Sequence, residues 1–430
     1  MIPKEQREEI IALINREVVP AMGCTEPVAV ALCAAKATEL LGTVPEEINV
    51  RLSRNVLKNA MGVGIPGTGM IGLPIAIALG ALIGKSEYEL EVLRDVNPDA
   101  VAAGRRMMDE GRISIGLCED APDVLHIDVD VVAGHHTARA VISRSHANFV
   151  RLERDQDIVW EEDPAAASGN AGQQDEGIRL NMKMVYDFAT TAPLDEISFI
   201  MEARRLNLGA AETALAGGEY GHSLGSTLKA HGLKYFGDTP VAHMIEYTSA
   251  ACDARMAGMP IPVMSNSGSG NQGITATVPV VVYARDIEAS EEQTTRALML
   301  SHLTSIYIKQ SLGRLSALCG CVVASTAASS GLVYLMGGGY NEVCAAVKNM
   351  AANLTGMICD GAKPSCSLKV SSGVSTAMMS AMLAMNGRCV TSAEGIVHDD
   401  VDQTIRNLTS IGRDAMTVTD RYVLDIMTSK

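Results

Sequence analysis

The chain has 430 residues, of which 47% are hydrophobic and only 3% aromatic, and its formal net charge is −15. This length allows two or three domains, and their cores must be built from Ala, Val, Ile, Leu and the 23 Met, which suits closely packed helices. The acidic balance excludes nucleic acid as the main partner, because phosphate binding needs a basic footprint, and it leaves no polybasic anchor for anionic lipid.

Residues 4–41 predict two helices. The first, in MIPKEQREEIIALINREVV, is charged and amphipathic, and without an apolar run after its basic start it is no secretory signal. The chain breaks at Val19-Pro20, and GCTEP (23–27) restarts a second helix, with Thr25 as cap and Pro27 in the first turn. INVRLS (48–53) alternates as a strand, and NAMGVGIPGTGMIG (59–72) reads as a Gly-rich loop. IGLPIAIALGALIG (71–84) has 14 residues against the ~20 a bilayer requires, so it predicts a buried helix, followed by a more polar helical stretch to Glu110. DVLHIDVDVVA (123–133) and TARAVIS (137–143) form a predicted hairpin around GHH, with FVRLERD (149–155) as a third strand. The polar stretch at 161–178 is the best linker candidate.

From about 181 the pattern is mostly helical, with helices expected at 290–311, 315–330, 341–354, 371–385 and 399–409. SNSGSGNQG (265–273) reads as a polar loop, and TATVPVVVYAR fits either a strand or a buried helix. The expected fold is therefore α+β. A mainly helical catalytic domain holds both termini (1–44 and 181–430), and an inserted α/β domain (45–180) carries a small antiparallel sheet. Without a leader or membrane span the protein is expected in the cytoplasm, with its ten cysteines as thiols. The Ala/Met-rich helices suit a homodimer.

Three cysteines carry the first chemical signal. Cys319 lies in an apolar helical stretch, and Cys359 and Cys366 flank DGAKPS, a loop able to turn two thiols toward one point. Three thiolates with no obvious fourth ligand suit a metal or iron–sulfur cluster with one open position. Taken singly, each is as well explained as a core thiol, and Cys321, two residues on from Cys319, faces another side of a helix. Cys24 sits at a helix start, where the dipole lowers a thiol pKa and makes a base or nucleophile. Glu26 beside it caps amides or carries a proton. GTGMIG (67–72) matches a dinucleotide-loop pattern, but no strand immediately precedes it, which excludes that reading. Lys58, Lys363 and Lys369 lie in no defensible pyridoxal-phosphate pattern. The SNSGSGNQG loop has the polar groups to cradle a carboxylate.

GCTEPVAVALCAAKA, RNVLKNAMGVGIPGTG, SNSGSGNQG and the Cys319…Cys359…Cys366 spacing together resemble the L-cysteine desulfidase family, which is related to the iron–sulfur L-serine dehydratases. The resemblance runs from about Glu8 to about Gly412. It implies a [4Fe–4S] enzyme that breaks L-cysteine into pyruvate, ammonia and sulfide. By motif, Cys319, Cys359 and Cys366 would hold the cluster and Cys24 would be the catalytic base. The two polar loops would line the substrate pocket, through Asn55, Lys58 and Asn59 on one and Ser265, Asn266, Ser267, Gly268, Asn271 and Gln272 on the other. The chain ends in MTSK, without the carboxy-terminal cysteine that related dehydratases can bring to their cluster. L-serine dehydration on the same cluster, or a cluster-free ligand-binding role, are the alternatives to weigh.

Overall fold

A computed structural model describes residues 2–163, 177–217, 223–313 and 316–429. Most of the expected linker lies outside the described residues. The fold is α+β, with helices predominant and one larger sheet. That sheet has six strands, in the order 113–117, 47–52, 126–133, 136–143, 149–154 and 157–161. It is mixed, not purely antiparallel: Glu47–Leu52 runs parallel to Ile113–Leu117, and every other pairing is antiparallel. The two strands missing from the sequence reading, Ile113–Leu117 and Asp157–Glu161, are the edges. Ile113–Leu117 alternates, with Ile113, Ile115 and Leu117 half-buried, but is only five residues long, and Asp157–Glu161 is exposed throughout.

Glu47–Leu52 shows why the sheet forms. Ile48, Val50 and Leu52 are buried on one face, while Arg51 on the other lies opposite Asp128. Arg139 makes two 2.8 Å bonds to the Asp128 carboxylate, and Arg51 reaches both Asp128 and Asp130 at 2.8 Å. Two arginines thus neutralise a carboxylate whose side chain is only 5% exposed.

Two hydrophobic cores result. One joins the first helix, Lys4–Glu17, to the helices from Met182 onward. The other packs the sheet against Thr25–Leu41 and Leu73–Ile83. The second amino-terminal helix therefore packs on the sheet, and not in the helical body expected for residues 1–44. Its composition explains this: Val28 to Ala35 is apolar on every face and fully buried, so it must be covered on all sides. The chain also returns late, because Leu424 in the last helix joins the sheet core.

Glycines set where the two cores meet. A Cβ on Gly64 would lie 2.2 Å from the Ala257 carbonyl carbon, and one on Gly258, at φ +81°, would meet Gly64 at 2.7 Å. Only glycines allow these backbones to touch. TATVPVVVYAR is helical, within Gly270–Asp286, with Pro279 inside it, and residues 270–273 begin that helix instead of extending the loop. Among the described residues no helix is long and apolar enough to cross a membrane.

Candidate active site

A cavity of about 130 Å³ opens where the two cores meet. Its lining comes from segments far apart in the chain: the start of the second helix, the loop around His146, the polar loop at 267–272, and the segments bearing Cys319, Cys359 and Cys366.

One wall is made of thiols, and the backbone places them. Cys319 N donates to Met357 O at 3.0 Å and Cys359 N to Ala317 O at 2.7 Å, around an antiparallel bridge between Leu318 and Ile358. This short ladder sets Cys319 and Cys359 side by side across 40 residues of sequence. Cys319 is the cap of the Gly320–Leu335 helix, not a residue within it, and Cys366 opens the Cys366–Met385 helix. The intervening loop turns at Gly361, φ +89°, where a Cβ would lie 2.3 Å from the Lys58 carbonyl oxygen. Asp360 fastens the loop by ion pairs to Lys363 and Lys369, which draw its pKa to about 2 against the opposing effect of burial. Burial and the neighbouring Cys359 push the Cys319 thiol up to about 12. Burial likewise raises Cys366. Cys321 also lines the cavity, but its thiol donates to Lys369 O at 3.1 Å.

The facing wall is polar. Cys24 caps the Thr25–Leu41 helix, and its Sγ donates to Glu26 Oε2 at 3.0 Å. Thr25 Oγ1 reaches the same oxygen at 3.1 Å, and Asn59 Nδ2 donates to Glu26 Oε1 at 3.3 Å. Asn59 also spans the cavity, with its Oδ1 4.0 Å from Cys359 Sγ. The buried Arg255 guanidinium donates to Gly23 O at 2.9 Å and to Asn271 Oδ1 at 3.0 Å, while its Nε has no hydrogen-bond partner. Gln272 approaches the Cys319 helix because Gly320 is bare: a Cβ there would lie 3.1 Å from Gln272 Cγ. Ser267 adopts φ +48° and donates to Asn266 Oδ1 at 2.9 Å.

The helix start does not make Cys24 a resting thiolate. Burial and the Glu26 charge raise its pKa well above the usual thiol value, and Arg255 only partly opposes them. A half-turn of helix dipole is small beside complete desolvation. Glu26 is itself deeply buried, which favours its neutral form. His146, the Cys24 hydrogen bond and Arg255 outweigh this and hold its pKa below the usual carboxylate value.

Of the residues singled out in the sequence, Cys24, Asn59, Ser267, Gly268, Asn271, Gln272, Cys319, Cys359 and Cys366 line this cavity. Asn55, Lys58, Ser265 and Asn266 do not. Lys58 is 1% exposed and ion-paired with Asp420, so it braces the carboxy-terminal helix. Ser265 Oγ donates to Val19 O at 2.6 Å and faces a neighbouring cavity. Asn266 donates to the buried His302. Asn55 lies one helical turn before Asn59, with its Oδ1 buried and without a hydrogen-bond partner. Arg255 and His146, which do line the cavity, belong to none of the motifs singled out in the sequence.

A family model described as serine dehydratase alpha chain matches residues 87–425. The chain belongs to that family. It is also 62% identical to a UPF0597 protein of Phocaeicola vulgatus, over all of this chain and 99% of that one. UPF0597 proteins of Bacteroides thetaiotaomicron and Porphyromonas gingivalis are 61% and 54% identical, with 99% of each chain covered. These names state no activity. The serine dehydratase alpha chain family has lyase and iron–sulfur character.

The thiols of the cavity wall can be set against what a cluster requires. Among the described residues no three His, Cys, Asp or Glu side chains converge as one metal ion requires. A cluster makes no such demand, because each thiolate binds a different iron. Cys319, Cys359 and Cys366 share one cavity and feel one another's charge, and only sulfur donors lie in that set, which fits the softness of iron–sulfur ligation.

Proposed function

We propose that this chain is an L-cysteine β-elimination lyase that forms pyruvate, ammonia and sulfide. In this reading Cys319, Cys359 and Cys366 hold a [4Fe–4S] cluster and Cys24 removes the α-proton. One observation carries the proposal: Cys24 lines the same cavity as three thiols that begin 295 residues later in the chain. When bound, the cluster would supply a Lewis-acidic iron with an open position.

The protein's own groups do the rest. Asn271, Ser267 and Arg255 offer donors for the α-carboxylate, and Arg255 brings the positive charge that neutralises it. The buried walls keep bulk water away while the α-proton is removed. The released aminoacrylate hydrolyses in water to pyruvate and ammonia. The test is anaerobic purification, assay of iron and acid-labile sulfide, and pyruvate formation from L-cysteine. Iron-loaded protein that forms no pyruvate from L-cysteine refutes the reading.

A second substrate is favoured by the family description itself: L-serine, losing water. The same residues serve both eliminations, so the ratio of kcat/KM for L-cysteine to that for L-serine decides between them.

A further inference from the structure

We infer that Glu26 is the proton acceptor for Cys24: its carboxylate takes the thiol proton before α-proton removal and returns it to the departing sulfide. The inference rests on the elimination reading above. It begins from the 3.0 Å contact between Cys24 Sγ and Glu26 Oε2.

Glu26 is not placed as an ordinary first-turn acid. Such residues usually face solvent, where they complement the helix dipole. Glu26 is 9% exposed and lines the cavity. Asn59 and Thr25 fix both of its oxygens, so the carboxylate cannot turn away from the thiol. The charged or titratable groups that face the pair are Arg255 from the Pro240–Met256 helix and His146 from the sheet unit. Both favour an anionic carboxylate. The resting pair is therefore a neutral thiol donating to an ionised acid. A neutral thiol does not remove an α-proton, so an adjacent acceptor is required, as for other activated nucleophiles.

The proton and electron accounts close. The Cys24 S–H proton moves to Glu26, leaving a thiolate and a neutral acid. The thiolate forms a new S–H bond with the substrate α-proton. The electron pair of the broken Cα–H bond becomes the Cα=Cβ bond, and the Cβ–S bond breaks with its pair on sulfur. The departing hydrosulfide takes the Glu26 proton as hydrogen sulfide. Cys24 ends as a thiol and Glu26 as a carboxylate, which is the starting state, with no proton drawn from solvent.

The test is Glu26→Gln with two readouts. In cluster-free protein, alkylation of Cys24 by iodoacetamide is followed against pH by mass spectrometry. In iron-loaded protein, turnover of L-cysteine is measured. Removing the Glu26 charge should make Cys24 alkylation about tenfold faster at pH 8, while turnover falls at least ~100-fold with iron content unchanged. A purely structural role would not move these two readouts in opposite directions. Turnover that rises with alkylation would make Glu26 only a brake on thiolate formation and would overturn the inference. So would an unchanged alkylation profile. Glu26→Asp should keep turnover at least tenfold above Glu26→Gln; equal turnover of the two overturns the need for a carboxylate. Wild-type protein that carries iron but eliminates nothing refutes the lyase reading instead, and the alkylation arm still decides whether Glu26 controls the Cys24 proton.

Discussion

The two walls of the cavity are built on opposite principles. The polar wall is knit by its own side chains: Cys24, Thr25 and Asn59 all donate to one carboxylate, and Arg255 is held by Gly23 and Asn271, with only its Nε left unpaired. The thiol wall is placed by the Leu318–Ile358 bridge, the turn at Gly361 and the ion pairs of Asp360 with Lys363 and Lys369. Burial and the neighbouring Cys359 push the Cys319 thiol up to about 12, and burial raises Cys366 as well. A preorganised polar wall suits substrate and proton handling. A wall of buried thiols becomes anionic only beside a cation.

The comparison fails most visibly if the thiol wall is dispensable. Cys359→Ala should lose essentially all bound iron while circular dichroism stays native. Full iron retention would remove Cys359 from the ligand set. Cys24→Ala, on the other wall, should keep its iron and lose turnover about 10²–10⁴-fold, measured anaerobically with L-cysteine. Matching iron loss in both variants would erase the distinction between the walls.

The brace behind the thiol wall offers a stability test. Asp420→Asn leaves the Lys58 ammonium, 1% exposed, without its counter-ion. Removing one partner of a buried pair costs about 3–5 kcal/mol, so denaturant unfolding should show a clearly lower midpoint. Because Gly361 packs on the Lys58 carbonyl, iron retention should fall as well. A midpoint shift below about 1 kcal/mol would show the pair to be peripheral.

Asp128 in the sheet, which does not line the cavity, serves as a control. Its arginine partners, working against burial, hold Asp128 below the usual carboxylate value. A depressed folded-state pKa adds stability above the unfolded value of about 3.9, and that stability is lost as pH falls through the lower folded value. Asp128→Asn should therefore lower stability by about 1–3 kcal/mol at pH 7 and progressively less below pH 4, with turnover unchanged. Equal losses at both pH values would contradict this assignment.

Much of the helical fold was legible in the sequence because apolar runs and glycine stops have a period and an end. The central hairpin was legible for the same reason. The edge strands were not: Ile113–Leu117 alternates but is short, and Asp157–Glu161 has no buried face to mark it. TATVPVVVYAR stayed ambiguous because its β-branched residues favour a strand while Pro279 disfavours the interior of either element, and burial among helices decides for a helix. The spacing of Cys319, Cys359 and Cys366 suggested a set, but not that a two-residue bridge aligns Cys319 with Cys359. The protonation of Cys24 could not be read from local sequence at all. It depends on burial by distant segments and on the direction of the Glu26 side chain. Lys58 shows the converse case: a conspicuous motif residue whose partner, Asp420, lies 362 positions away and turns it from the cavity into the frame.

The spread of the cavity across the chain also bears on how the protein is made. Cys24 leaves the ribosome early, and Cys319 follows 295 residues later. At a synthesis rate of about 5–20 residues per second, that interval is about 15–60 s. Arg255, the neighbour that tempers its charge, follows Cys24 only 231 residues later. In the proposed reading no nascent fragment that stops before Cys366 can hold the complete site, so cluster loading would wait until most of the chain has been translated.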